Sequence, residues 1–79
     1  MKHKYIRHSS LGFILWPMTD DVFHQHMQNL FRRERGEIIS AGFVEFDDKE
    51  AFCYGRSESI GIGGLPDDSE VLNKQLGFA

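Results

Sequence analysis

The sequence predicts an α+β fold, in which an antiparallel sheet of about four strands carries two helices in the order β-β-α-β-β-α. Three observations predict it. Residues 38–59 have two apolar stretches on either side of the charged quartet 47–50, which is the pattern of a β-hairpin. Residues 19–35 have apolar side chains at helical spacing, and residues 66–77 have a shorter helical pattern between a proline and a glycine.

The first two strands are predicted at residues 4–8 and 11–16, joined by a turn at Ser9 and Ser10. Alternation places the side chains of the first strand on two faces, with Tyr5 and Arg7 on one and Ile6 and His8 on the other. In the second run both alternate positions are apolar. This pattern indicates a strand with both faces covered or a central position in the sheet. Pro17 ends the run because proline has no N–H to donate.

The first helix is predicted to begin at Thr19 as N-cap, with Asp20 and Asp21 in its first turn. Arg32, Arg33 and Arg35 then lie near its C-terminal end, and Gly36 stops it. One side of the predicted helix is apolar and should face the sheet. That side consists of Val22, Phe23, Met27, Leu30 and Phe31, with His26 among them and His24 on the solvent side.

The hairpin has the same register whether its loop has two or four residues. Phe46 pairs with Ala51, Val44 with Cys53 and Phe43 with Tyr54. One face then carries Ala41, Phe43, Glu45, Phe52, Tyr54 and Arg56. The other face is small and apolar, and its glycines, Gly42 and Gly55, would let a helix approach closely.

The glycine-rich stretch 61–64 is predicted to be a loop before the second helix. Pro66 opens that helix, and Asp67 and Glu70 have the spacing of a capping box. Gly77 ends the helix. Its buried side is predicted to contain Val71, Leu72 and Leu76, with Phe78 folded back on Leu72.

Length and composition predict one domain over residues 1–79 with a small core, so that dimerisation would add stability. No apolar run approaches the roughly 20 residues of a membrane helix, and Met1 to Lys4 do not resemble a signal peptide. We therefore expect a soluble cytoplasmic protein without a membrane partner. The single cysteine, Cys53, is expected to be a buried, inert thiol. A net charge of −3 disfavours non-specific nucleic-acid binding but leaves room for a local basic patch.

Candidate catalytic and metal sites are weak. His24 and His26 are two positions apart, so on a helix they point about 200° from each other and cannot hold one ion. The glycines before the second helix lack a phosphate-binding pattern, and acids occupy that helix start. Asp47 and Asp48 lie at a solvated hairpin tip that cannot raise a carboxyl pKa. The sequence therefore predicts no enzyme, metal or cofactor.

Several stretches of the chain resemble small uncharacterised proteins of bacteriophages and prophages. The stretches are Leu15-Trp16-Pro17, Ala41-Gly42-Phe43-Val44, Cys53-Tyr54-Gly55-Arg56-Ser57-Glu58-Ser59, and Pro66-Asp67-Asp68-Ser69 ahead of Gln75-Leu76-Gly77. The resemblance covers most of the chain and brings no catalytic residues with it. It implies an accessory protein of a phage or mobile element, a class in which some members inhibit a host enzyme or defence complex by steric binding.

Two binding hypotheses follow. The leading one is a non-enzymatic protein that binds a protein partner through the aromatic face of the hairpin, with a homodimer as the expected assembly. Its contact residues are Phe43, Glu45, Phe52, Tyr54, Arg56 and Glu58. In the plainer interpretation these aromatic residues are core, covered by a helix. The alternative function is nucleic-acid binding. That surface would consist of Arg32, Arg33, Arg35, Lys2, Lys4 and Arg7.

Overall fold

The computed structural model describes residues 2–18 and 23–77. Four strands form one antiparallel sheet in the order β2-β1-β3-β4. They are β1 (Lys2–His8), β2 (Gly12–Pro17), β3 (Ile38–Phe46) and β4 (Ala51–Tyr54). A separate two-stranded ribbon follows, formed by β5 (Arg56–Ser57) and β6 (Ile62–Gly63). The helices are α1 (His24–Phe31) and α2 (Asp68–Leu76). The α+β class is thus confirmed, and the predicted loop at residues 61–64 includes the β6 strand of the ribbon.

The hairpin has the predicted register. β3 and β4 pair Phe46 with Ala51, Val44 with Cys53 and Phe43 with Tyr54. Backbone amides of Lys49 and Glu50 donate to Asp47 Oδ1 at 2.7 and 2.8 Å, so the aspartate side chain organises the turn. These hydrogen bonds to the charged form hold the pKa of Asp47 below its usual range. The prediction of which side chains share a face of the hairpin is therefore confirmed for residues 43–46 and 51–54, whereas Arg56, predicted on the same face, belongs to the separate ribbon.

The two helices pack on opposite faces of the sheet. Leu72 of α2 is fully buried with Tyr5, Phe13, Val44 and Ala51. On the other face, Ile6, Trp16 and Ala41 form a second core cluster. Met27 and Phe31 of α1, together with Ile60 and Ile62 from the ribbon region, are half-buried against that second cluster.

The strand β2 lies at an edge of the sheet, so of the two predicted alternatives the central position was wrong. Both of its faces are nevertheless covered, because Phe13 packs toward α2 and Trp16 toward α1. Its outer backbone is also partnered. The side chain of Gln75 accepts from Phe13 N–H at 3.1 Å and donates to Phe13 C=O at 3.2 Å. An apolar pattern on both faces therefore reports coverage by two helices and not a central position.

The opposite edge, β4, is closed by α2 in the same way. Asn73 accepts from Ala51 N–H at 2.7 Å and donates to Ala51 C=O at 3.0 Å. Ser69 Oγ accepts from Cys53 N–H at 2.8 Å. One helix thus supplies amide and hydroxyl groups to both edge strands, and these take the place of the neighbouring strands that each edge lacks.

Asp68 joins α2 to the middle of the sheet. Its carboxylate is 1% exposed and accepts four hydrogen bonds. The donors are Tyr5 OH at 2.6 Å, Ser40 Oγ at 2.9 Å, Leu65 N–H at 2.9 Å and Arg7 Nη1 at 3.0 Å. Burial, and then the hydrogen bond to Asp68, raise the pKa of Tyr5. The buried charge is therefore both paired and hydrogen-bonded, as its burial requires.

The structure corrects the predicted face of α1. His24 is buried at 4% exposure and Leu30 is 68% exposed, the reverse of the expectation. The ring of His24 donates from Nε2 to the Gly42 carbonyl at 2.7 Å, which makes its burial tolerable. His26, expected at the core edge, is exposed, and its Nδ1 accepts from Phe23 N–H at 2.9 Å. The predicted helix start at residues 19–22 lies outside the described residues.

Two helix ends also differ from expectation. α1 ends at Phe31, so Arg32, Arg33 and Arg35 follow the helix, and Gly36 serves the turn into β3 with φ of +101°. In α2, Asp67 makes no side-chain capping bond, and Asp68 turns into the core instead. Gly77 ends α2 in the left-handed conformation, as predicted. Leu76, expected to be buried, is exposed. The predicted contact of Phe78 lies outside the described residues.

Candidate protein-binding surface

The predicted contact residues lie on the α1 side of β3 and β4 and on the segment that follows β4. Phe52 is 47% exposed and Tyr54 is 42% exposed, while Phe43 is half-buried. Glu45, Arg56 and Glu58 are exposed. We call these six residues the aromatic surface. The interpretation in which a helix covers all three aromatic residues does not fit these exposures.

The surface stays open because α1 is anchored beyond it, toward β1 and β2. The ring of His24 lies between Trp16 and Phe43, with centroid distances of 5.3 and 5.6 Å and edge-to-face geometry in both pairs. Phe43 in turn contacts Tyr54 at 5.9 Å. The aromatic rings therefore form a continuous row from the buried Trp16 to the exposed Tyr54, and the helix covers only its inner part.

The chain leaves β4 through Gly55, whose φ of +73° bends the backbone over the opposite face at Gly42. A Cβ added to Gly42 would meet the Tyr54 carbonyl oxygen at 2.6 Å. The close approach predicted from Gly42 and Gly55 is thus made by this crossing backbone, and not by a helix. Beyond the bend, Arg56 Nε and Glu58 Oε1 form an exposed ion pair at 3.7 Å.

A groove with a volume of about 530 Å³ adjoins the inner end of the aromatic surface. It runs between the start of α1 and the Arg56–Ser57 strand. Phe23, His24 and Phe43 supply apolar and aromatic walls, and Arg56, Ser57 and Glu58 form the polar side. Burial lowers the pKa of His24, against the opposing effect of its hydrogen bond to Gly42, so the ring is neutral near pH 7.

The outer end of the aromatic surface is acidic. Glu45 is the direct cross-strand neighbour of Phe52, and Asp47, Asp48 and Glu50 form the adjoining hairpin tip. Lys49 lies within this tip and Lys2 pairs with Glu45 across β1 and β3. Carboxylates therefore outnumber cations at this end, and the field around Phe52 is negative.

The residues of the alternative nucleic-acid surface are not brought together. Arg7 lies on the α2 side of β1 and bonds Asp67 and Asp68 at 3.0 Å. Lys4 is buried on the other side of the same strand, with Nζ 4.7 Å from the Phe23 ring centroid. Arg32, Arg33 and Arg35 are exposed after α1, near the His8 end of β1, whereas Lys2 begins that strand. Six residues of strand separate the two groups by about 20 Å.

The other reactive groups face inward. Tyr5, Ser40 and Asp68 have at most 1% exposure, which prevents contact with a substrate. Burial, followed by the charge of Asp68, raises the pKa of Cys53 to about 11, so its thiol is protonated and unreactive near pH 7. Within residues 2–18 and 23–77, no three histidine, cysteine or acidic side chains are grouped to hold a metal ion. No helix in these ranges is long and apolar enough to span a membrane.

Sequence reasoning missed two residues that shape this surface. His24 was expected in solvent, yet it anchors α1 and thereby decides which aromatics remain exposed. Asp68 was expected only as a helix-start acid, yet it fixes α2 on the opposite face. The aromatic rings beside His24, those of Trp16 and Phe43, belong to other elements, so the sequence around His24 gives no local signal of its burial.

Comparisons of the chain with protein-family models, with curated proteins and with solved structures find no significant match.

Proposed function

We propose that this protein is a non-enzymatic accessory protein of a phage or mobile element that binds a protein partner through its aromatic surface. The observation that carries the proposal is the exposure of Phe52 and Tyr54, at 47% and 42%, on a surface whose inner residue, Phe43, lines a groove. Aromatic side chains are enriched at the energetic centres of protein interfaces. An aromatic side chain left in water also forgoes the free energy that its burial in a core would contribute.

The chemistry of the surface specifies the partner. An apolar centre formed by Phe43, Phe52 and Tyr54 has an acidic outer end at Glu45 and the hairpin tip. The complementary surface is an apolar patch bordered by lysine or arginine. In the proposed context, the partner is a cytoplasmic host enzyme or defence complex of the bacterium, which the bound protein inhibits by occupying its surface.

The mode of binding is side-chain docking and not the addition of a strand. At both sheet edges, side chains of α2 already occupy backbone groups that an incoming strand would use: those of Ala51 and Cys53 in β4 and of Phe13 in β2. A partner therefore meets the face of β3 and β4, where the side chains project, because the edges offer few free backbone groups.

The test is site-specific photocrosslinking in the host. A photoreactive phenylalanine analogue is placed at position 52 and, in a matched control, at position 30. Leu30 is 68% exposed on α1 and Phe52 is 47% exposed, so the control position is at least as accessible as the test position. We expect one host protein to be crosslinked from position 52 and not from position 30, with less crosslinking as salt concentration rises.

A second variant, Phe52→Ser with Tyr54→Ser, should keep the fold and lose the same partner, because both side chains project outward from the sheet. Retention of that partner by the double variant would refute the proposal. Light scattering of the purified protein separates the remaining case: a dimer that the double variant abolishes would identify a second copy as the occupant.

A further inference from the structure

A second concavity lies on the α1 side of the sheet, at the far end from the aromatic surface. It is a pocket of about 400 Å³ between the C-terminal end of α1 and the start of β3. His8 lines it at one end of β1, whereas Lys4 of the same strand lines the groove beside the aromatic surface. The pocket lies at the lower end of the range of about 300–1,000 Å³ for small-molecule sites.

The buried histidine in this pocket has a donor to offer. His8 is 3% exposed. Its Nδ1 accepts from the backbone N–H groups of Ser10 at 3.2 Å and Leu11 at 3.4 Å. The Ser10 hydroxyl donates its one hydrogen to the Arg35 carbonyl, so it does not also donate to His8 Nδ1. Since Nδ1 accepts, Nε2 carries a proton, and Nε2 has no partner within the described ranges. Nε2 reaches the surface of the pocket, where a bound ligand can accept a hydrogen bond from it.

The wall next to His8 is held in place before any ligand arrives. Ser9 N–H donates to the Glu37 carbonyl at 2.8 Å, and Glu37 N–H donates to Ser9 Oγ at 2.9 Å. Gly36 lies between these loops, and a Cβ there would collide with Ser9 Oγ and come within 3.0 Å of His8 Cε1. The two loops thus fix the histidine and the mouth of the pocket, which lowers the entropy cost of binding.

The pocket combines opposite charges with an apolar floor. Arg32 and Glu37 both line it, and neither forms an ion pair with another described residue. Gln28 and Asn29 add amide groups, and Phe31, Ile38 and Ile62 supply the apolar part. The last carbonyls of α1 point toward this end of the helix. Together with Glu37, they oppose a multiply charged anion such as phosphate.

We infer that this pocket binds a small zwitterion, namely an α-amino acid with an apolar side chain. Its carboxylate accepts from the Arg32 guanidinium and from His8 Nε2–H. Its ammonium group faces Glu37, and its side chain lies on Phe31, Ile38 and Ile62. The ligand has no net charge, in keeping with a pocket that carries one cation and one carboxylate. This site is independent of the proposed partner-binding function.

The test is an NMR titration of the full chain with L-leucine as probe, followed through backbone amide resonances. We expect saturable shifts at Gly36, Ile38 and Ile62 and none at Phe52 or Tyr54. N-acetyl-L-leucine lacks the ammonium group and L-leucinamide lacks the carboxylate. Each should bind at least about tenfold more weakly, since a charge-assisted hydrogen bond contributes at least that ratio.

The matched variants are Arg32→Gln and Arg33→Gln. Both arginines are exposed and consecutive, but only Arg32 lines the pocket. Arg32→Gln should weaken L-leucine binding about tenfold, whereas Arg33→Gln should leave it unchanged. The inference is overturned if L-leucine produces no shifts, if both variants bind it equally, or if inorganic phosphate shifts the same amides at lower concentration than L-leucine does.

Discussion

The two faces of the sheet are built from the same strands but are closed to different degrees. Toward α2, Tyr5, Val44 and Leu72 have no exposed surface, and Asp68 joins the helix to the sheet by four hydrogen bonds. Toward α1, Phe52 and Tyr54 keep nearly half of their surface in solvent. The α2 face therefore carries most of the structural specificity, and the α1 face has apolar area that the fold does not use.

The difference has its origin in how each helix is held. α2 has a buried carboxylate at its start and amide groups that reach Ala51 on one edge and Phe13 on the other. α1 has eight residues and one buried polar anchor, His24, on the Gly42 carbonyl. A helix that reaches both edges covers its whole face, whereas a short helix with one anchor covers part of it. Four experiments can break or sharpen this contrast.

The largest effect is expected from Asp68→Asn. The change removes the charge that pairs with Arg7 and leaves buried donors of Tyr5 and Ser40 without a full acceptor. Breaking a buried pair of this kind costs about 3–5 kcal/mol, which is a large part of the stability of a small domain. Urea denaturation followed by circular dichroism measures it.

Two variants accompany that experiment. Ser40→Ala removes one donor to Asp68 and should cost about 1–2 kcal/mol, which stays measurable if Asp68→Asn does not fold. Asp48→Asn at the exposed hairpin tip should change stability by less than about 0.5 kcal/mol. Equal urea midpoints for Asp68→Asn and Asp48→Asn would contradict the role given to Asp68.

The next effect concerns the sheet edges. Asn73→Leu removes both hydrogen bonds to Ala51 and opens the backbone of β4. We expect a loss of about 1–2 kcal/mol and self-association that increases with protein concentration, because a free edge pairs with another strand. Urea denaturation and light scattering measure the two effects. Lys74→Gln is the control, since the side chain of Lys74 makes only an exposed ion pair with Glu70. This variant should have the same urea midpoint and the same association state as the parent protein.

A pH experiment tests the single anchor of α1. Burial lowers the pKa of folded His24 below its unfolded value of about 6.5, so the unfolded chain binds protons more readily below that pH. The stability that His24 contributes is thus complete above about pH 6.5 and is lost as pH falls, by at most about 2 kcal/mol at pH 5. His24→Asn cannot titrate and should flatten this part of the curve. Parallel curves for the two proteins would show that another group is responsible.

The hairpin could be predicted from the sequence, whereas the buried side of α1 and the role of Asp68 could not. The hairpin register follows from local information, because alternation and a charged turn fix which side chains share a face. The buried side of α1 could not be predicted from one histidine-rich turn, because shifting the phase by two residues exchanges His24 for His26. Asp68 has acidic neighbours at Asp67 and Glu70. Only its contacts with Tyr5 and Ser40, 63 and 28 residues away, distinguish it from them.

The smallest stability effect is expected at the aromatic surface. Phe52 and Val44 lie on neighbouring strands but on opposite faces. Val44→Ala removes fully buried methyl groups and should cost about 2 kcal/mol. Phe52→Ala removes a much larger side chain, yet about half of that side chain is already in water. Its cost should be below about 1 kcal/mol. Urea midpoints of the two variants give the comparison.

A greater loss from Phe52→Ala than from Val44→Ala would mean that Phe52 is part of the core, and the proposed binding surface would lose its basis. The expected ranking has the opposite consequence. If the larger side chain contributes less to stability, its apolar area is available for another purpose, because exposed aromatic surface on an edge strand favours association. The same substitution should then remove binding of the purified partner while leaving the urea midpoint almost unchanged, so that binding and folding are separated at one residue.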